Sequence, residues 1–313
     1  MASTPVALIT HEACLGHDPG AGHPESPARL SAVLDALAAK EFHSLERESA
    51  PTASREALLR VHVEAYVAGI LKIAPLPGEY VALDPDTVMS SGSHEAALRA
   101  AGGAVQGVEA VMQGRARASF VAVRPPGHHA EPARAMGFCL FNNAAVAALH
   151  ARAAFGLRRI AIADFDVHHG NGTEAICRAD PDLFYASTHQ SPCYPGTGAA
   201  TERGIADNVL NVPLRPGTDG RVFCEAWRTM ILPAIDRFAP ELLIISAGFD
   251  AHKADPLADL RLDTKDFGWL TGELVRVAAR RAQGRVVSVL EGGYDIGALG
   301  ASVAAHVRAL MAG

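Results

Sequence analysis

Residues 159–172 read RIAIADFDVHHGNG. After its first residue, RIAIA (159–163) is apolar without polar alternation, the pattern of a strand buried on both faces. The strand runs straight into Asp164, Asp166, His168 and His169, and Gly-Asn-Gly then turns the chain. A buried strand ending in ligand-type side chains points to an open α/β sheet, whose sites form at the carboxyl ends of the strands.

The same alternation extends in both directions. VALIT (6–10), ASFVAV (118–123), LFYAS (183–187), VLNVPL (209–214), LLIIS (242–246) and VVSVL (286–290) read as further strands. Helical periodicity fills 26–42, 54–73, 93–113, 142–156, 219–238, 265–282 and 297–311, the first with Ser26 as N-cap and Pro27 in the first turn. Apolar strands separated by helices predict a three-layer α/β/α fold with a mostly parallel central sheet, here as one catalytic domain over 1–313. Four strand ends hold nearly all the reactive residue types: RPPGHHAEPARAMGFC (124–139), DFDVHHGNG (164–172), AGFDAHKADP (247–256) and EGGYD (291–295).

Composition narrows the function. The 313 residues are 49% apolar, enough for a large core, and 28 basic against 34 acidic side chains leave a net charge of −6. That balance argues against a nucleic-acid or anionic-membrane surface. Five scattered cysteines form no CxxC pair, so neither a disulfide framework nor a zinc finger is expected. MASTPVALIT has no basic segment leading into a long apolar run, and no stretch is apolar enough to span a bilayer. The expectation is a cytoplasmic protein.

Asp166 and His168 are two apart, so in extended chain their side chains point the same way. Asp250, at the exit of LLIISAGF, is the candidate third ligand. Three protein ligands with an open position suit a catalytic metal, and the mixed Asp/His set admits zinc, ferrous iron, manganese or cobalt. His128 and His129 read as an acid/base pair beside it, oriented by Asp164 and Asn171. Tyr294 could donate to a developing oxyanion, with Gly292 and Gly293 letting the phenol reach the cleft. Gly137, Phe138 and Tyr194 could wall a narrow tube. His11, His17 and His23 lie in an irregular Gly/Pro-rich loop and are not expected to bind metal.

RPPGHH, GFCLFNN, DFDVHHGNG, SAGFDAHKADP and EGGYD, in this order and preceded by HPESPARL (23–30), resemble the zinc-dependent histone deacetylase family. That superfamily includes bacterial acetylpolyamine amidohydrolases, and HHGNG with EGGY is similar to its class II branch. The resemblance implies an arginase-like fold and one zinc per chain on Asp166, His168 and Asp250. It makes His129 the general base and acid, His128 an electrostatic partner paired to Asp164, and Tyr294 the group that polarises the acyl carbonyl. It implies a potassium ion on the backbone carbonyls of Asp166, His168 and Thr188 with the side chains of Asp164 and Ser187. It places Arg29 at an acetate-release cavity, and Phe138 and Tyr194 at the walls of an acyl-lysine tunnel, where Phe is commoner than Tyr194.

The implied substrate is an acylated primary amine. Leu257 stands where polyamine-selective relatives carry a glutamate, which favours acetyl-lysine over acetylpolyamine. Asp84 and Asp86 could supply acidic recognition at the rim or simply form a turn. A binuclear manganese ureohydrolase of the arginase type would want a third acid at the position of Gly170.

Overall fold

The computed structural model describes residues 5–313; the first four residues of MASTPVALIT, read above for a targeting signal, lie outside them. Ten strands form: β1 (Val6–Thr10), β2 (Glu46–Ser49), β3 (Val81–Asp84), β4 (Thr87–Met89), β5 (Ala118–Val121), β6 (Ile160–Asp164), β7 (Leu183–Gln190), β8 (Val209–Leu214), β9 (Leu242–Ala247) and β10 (Val286–Leu290). Eight make one parallel sheet in the order β2-β1-β5-β10-β9-β6-β7-β8, and β3 with β4 makes a separate hairpin. Every residue of β5, β6, β9 and β10 is buried, as unalternating aliphatic runs require. These four central strands are the ones whose ends carry the reactive motifs.

The helices are α1 (Pro27–Ala36), α2 (Arg55–Leu59), α3 (Glu64–Lys72), α4 (Ser93–Met112), α5 (Asn143–Phe155), α6 (Asn171–Cys177), α7 (Gly220–Ala226), α8 (Leu232–Phe238), α9 (Thr264–Arg281) and α10 (Ile296–Ala312). They cover both faces of the sheet: α1, α10 and α9 pack in a row on one side, and α4 packs on α5 on the other. The run over 142–156 begins and ends where the sequence suggests, whereas Ser26 precedes α1 without a side-chain cap bond. Asn142 caps α5 by accepting from Ala145 N, and Gly156 closes it in the left-handed region at φ 67°. Among the described residues no helix is long and apolar enough to cross a membrane.

Several features depart from the sequence reading. The helix expected over 54–73 is broken between Leu59 and Glu64, where Val63 N donates to Pro132 O instead of to a helical carbonyl. Pro27 does begin a helix, but it stops at Ala36, and 40–42 is a separate 3₁₀ turn. The strand expected over 183–187, β7, continues past Ser187 to Gln190, because β8 pairs with it along that extension.

Candidate active site

The bend after β6 is built by its own carboxylates. Asp164 Oδ1 accepts from Asp166 N (3.1 Å), and Asp166 Oδ1 accepts from His168 N (2.9 Å), so alternate side chains leave on one side. Asp250, in the loop that follows β9, reaches across and accepts from Val167 N through Oδ1 (2.8 Å). Asp166 Oδ2 accepts from Gly292 N after β10 (2.8 Å). Gly292 is needed there, because a Cβ would lie 2.1 Å from Asp250 Oδ2 and 2.6 Å from Asp166 Oδ2.

Ligand atoms of Asp166, His168 and Asp250 lie within 4.8 Å of one another, all three residues buried. His168 Nδ1 faces Asp166 Oδ1 at 3.1 Å and Asp250 Oδ2 at 3.2 Å. One ring N–H cannot serve both carboxylates, and Asp250 Oδ2 is left without a hydrogen-bond donor. Burial and the charge of Asp166 push Asp250 up to about 7. A divalent cation among these three groups would satisfy the orphaned oxygen and relieve the repulsion, so the residues fit a metal. Among the described residues this is the one such group.

His128 and His129 enter from the loop after β5, their ring centroids 4.0 Å apart. Their environments separate them. His128 Nδ1 lies 3.0 Å from Asp164 Oδ2. Burial alone would lower its pKa, but Asp166 and Asp164 overcome that and raise it to about 10. His129 Nδ1 instead meets the amide oxygen of Asn171, the first residue of α6, at 2.8 Å. Burial, with the charges of His128 and His168, holds His129 well below the ordinary imidazole range. The two rings therefore sit in opposite settings, a carboxylate beside His128 and an amide oxygen beside His129. His169 turns away, to Glu174 Oε2 and Thr197 Oγ1, both at 2.8 Å.

A cavity of 210 Å³ opens above this cluster, lined by Asp86, His129, Gly137, Phe138, His168, Tyr194, Leu257 and Tyr294. Phe138 meets Tyr294 edge-on at 5.8 Å, and Tyr194 meets His129 edge-on at 5.1 Å. Gly137 has φ 56°, and a Cβ there would lie 2.4 Å from His129 Cδ2. Burial keeps the Tyr294 phenol well above its usual pKa, so it stays a donor; Arg29 only partly opposes this. Leu257 is 36% exposed and sits at the rim. A larger hollow of 380 Å³ at the β8 edge, near Phe184, Arg203 and Arg237, has none of these groups.

Other expected residues sit behind the cavity. Gly292 and Gly293 do not line it; Gly293 O accepts from Arg29 Nε at 2.6 Å. Arg29 is fully buried, donating also to Glu291 O (2.5 Å) and Glu25 Oε1 (3.0 Å), with its guanidinium 4.7 Å from the Tyr294 ring centre. Asp164 is register partner to Ser187, whose Oγ faces His189 Nδ1 at 2.9 Å, while Thr188 Oγ1 accepts from Trp227 Nε1 at 3.0 Å. Asp86 forms the β3–β4 turn and lines the cavity as well, accepting from Gly137 N (3.2 Å). His17 pairs with Ser93 and Glu25, His11 caps a 3₁₀ turn, and His23 stacks edge-on to Phe138, each away from the three-ligand group.

Several working acids were not singled out in the sequence. Glu291 Oε2 accepts from Gly127 N (2.7 Å) and His128 N (3.1 Å), fixing the histidine loop. Glu25 binds both Arg29 and Arg124; burial would raise its pKa, but Arg124, His17 and Arg29 together hold it far below the carboxylate range. Asp255 accepts backbone N–H groups from Tyr294 (2.7 Å), Asp295 (3.3 Å) and Leu257 (3.0 Å). Glu291, Asp255 and Glu25 lie inside EGGYD, AGFDAHKADP and HPESPARL, the one signal that pointed toward them.

A buried, metal-competent strand-end cluster beneath an aromatic-walled cavity defines a hydrolase-type α/β enzyme. The model of the histone deacetylase domain matches residues 23–310, and the chain belongs to that family. It is 42% identical to a histone deacetylase-like amidohydrolase of Pseudomonas aeruginosa, over 88% of this chain and 73% of that protein. It is 38% identical to the chloroplastic histone deacetylase 14 of Arabidopsis thaliana, over 97% of this chain and 76% of that one. The crystal structure of the HDA15 HD domain superposes with a TM-score of 0.92 at 34% identity, covering 99% of this chain and 89% of that domain. Deacetylase-type amidohydrolase activity follows from family membership, and the fold expected from the sequence is the fold found.

Proposed function

We propose that this chain is a zinc-dependent amidohydrolase, working as one catalytic domain, that removes an acetyl group from a primary amine of the acetyl-lysine type. The observation that carries the proposal is the buried Asp166–His168–Asp250 group on the floor of the cavity, with Asp250 Oδ2 lacking a donor. These three residues would hold one zinc ion. When bound, the ion supplies Lewis acidity toward an amide carbonyl and an attacking water.

The chain's own residues do the rest. Phe138, Tyr194 and Gly137 confine an extended methylene chain and exclude water from it. His129, neutral with Nδ1 turned to Asn171, accepts the proton of the attacking water at Nε2. His128, held at Nδ1 by the carboxylate of Asp164, lies beside the reacting centre and opposes the negative charge that develops on the substrate. Tyr294 donates its hydroxyl to the carbonyl oxygen as that oxygen becomes an anion. His129 then returns the proton to the departing amine, and the products are acetate and a free amine. Arg29 stands behind Tyr294, where the acid would leave. Asp164 and Ser187, with the carbonyls of Asp166, His168 and Thr188, would hold a potassium ion beneath the bend.

Leu257 at the rim offers no counter-charge to a polyamine, which supports acetyl-lysine over acetylpolyamine. Asp86 in the cavity wall is the one observation that favours the polyamine reading. The test is a parallel assay of the zinc-loaded enzyme on acetyl-lysine peptides and acetylated polyamines. Faster release from the peptides is expected; faster release from polyamines would reverse the substrate assignment, and no product from either would overturn the activity.

A further inference from the structure

The orientation of the Asn171 amide decides which nitrogen of His129 carries the proton. A carboxamide can turn over about its terminal bond and exchange donor for acceptor with little change in shape. With Oδ1 toward His129, the ring must carry its proton on Nδ1, and Nε2 is left with a free lone pair. With Nδ2 toward His129, the proton moves to Nε2 and the ring can no longer act as a base in the cleft. His128 faces no such choice, because Asp164 is a carboxylate and only accepts.

The far side of Asn171 decides the matter. Its Nδ2 lies 2.8 Å from Glu131 Oε1 and 3.3 Å from Met136 Sδ. Both are acceptors. Turned over, Asn171 would set its oxygen against the Glu131 carboxylate. Glu131 is itself held on a fixed backbone. Glu131 N donates to Arg134 O (2.9 Å), and Val63 N donates to Pro132 O (2.9 Å). Glu131 O accepts from His62 Nδ1 (3.0 Å); His62 Nε2 accepts from Asn142 N, so that ring's proton is on Nδ1. Arg134, the nearest arginine or lysine in the sequence, pairs with Asp84 instead and leaves the Glu131 carboxylate to Asn171.

We infer that Glu131 is a positioning residue: it orients the Asn171 amide and thereby fixes the His129 proton on Nδ1, leaving Nε2 free to accept. The inference rests on the reading of His129 as the base, but its first readout does not need turnover. Zinc-loaded protein carrying ¹⁵N-labelled histidine is examined by two-bond nitrogen–proton correlation, which distinguishes the tautomers. The wild type is expected to show His129 as the Nδ1–H form. Glu131→Leu is expected to lose that single form and to lower kcat by at least about tenfold with little change in KM, as a wrong tautomer does in hydrolases. Glu131→Gln, whose carbonyl can still accept from Asn171, keeps the Nδ1–H form.

A pure Nδ1–H signal in Glu131→Leu would overturn the inference. A changed tautomer with unchanged kcat would uphold the positioning and refute His129 as the base. Should Glu131→Leu not fold, Glu131→Leu/Asn171→Asp is the second probe. The new carboxylate can only accept from His129, so the Nδ1–H form is expected to return, and its failure to return in the folded double variant counts against the inference.

Discussion

Asp255 ties together two loops that the reaction needs at once. It is 8% exposed, and its two oxygens take the backbone N–H groups of Tyr294, Asp295 and Leu257 at 2.7, 3.3 and 3.0 Å. Asp255→Ala strips all three of their acceptor. A buried N–H left unpaired costs about 1–3 kcal/mol, and with some rehydration at the rim the total is roughly 3 kcal/mol of stability. The effect on turnover has its own ceiling. A donor to a developing oxyanion contributes about 3 kcal/mol, or roughly a hundredfold, so releasing the Tyr294 backbone should lower kcat by between about tenfold and a hundredfold. Asp255→Asn should fall between wild type and alanine, because its carbonyl can still serve Tyr294 and Asp295 while its NH₂ faces the Leu257 N–H. Urea unfolding measures the first effect, kcat on an acetyl-lysine peptide the second, and zinc content the integrity of the metal group. The reasoning fails if the alanine variant turns over at the wild-type rate, or if its loss of activity simply follows loss of zinc.

Tyr294→Phe should lower kcat about a hundredfold while zinc stays bound after dialysis; near-normal turnover would remove the donor role. Leu257→Glu adds a charge at the rim and should raise the ratio of acetylpolyamine to acetyl-lysine use, and an unchanged ratio would discard the gatekeeper argument. His306, buried between Thr271 Oγ1 (2.6 Å) and Ser288 Oγ (2.8 Å), is lowered by burial to about 3. Its folded value lies below the unfolded one, so the unfolded chain binds the proton first. Its contribution is therefore complete above about pH 6.5 and is lost as pH falls toward 3, at up to about 1.4 kcal/mol per pH unit. His306→Gln should flatten the decline in urea stability between about pH 7 and pH 5, and parallel declines in both proteins would contradict this.

The central strands and the Asp166–His168 pair were legible because each is written locally. LLIIS and VVSVL are unalternating aliphatic runs, and Asp166 with His168 declares itself by spacing. What was not legible depended on partners distant in sequence. β2 is ERES, a polar edge strand whose side chains are mostly exposed, so it carries no apolar pattern. The break at 60–63 falls in RVHV, with neither glycine nor proline to mark it, and is made by a bond to Pro132. α6 has only seven residues, too few for a period to show. Glu131, Asp255 and Glu25 look like ordinary acids in their own segments. Their importance comes from the amide, the backbone N–H groups and the arginines that the fold brings to them.

The most direct test of the whole account is diffraction from zinc-loaded crystals at energies on either side of the zinc absorption edge. One anomalous peak per chain is expected, within bonding distance of Asp166, His168 and Asp250 and on the floor of the cavity that Tyr294 lines. A peak elsewhere, a second peak of equal strength beside it, or none at this group would contradict it.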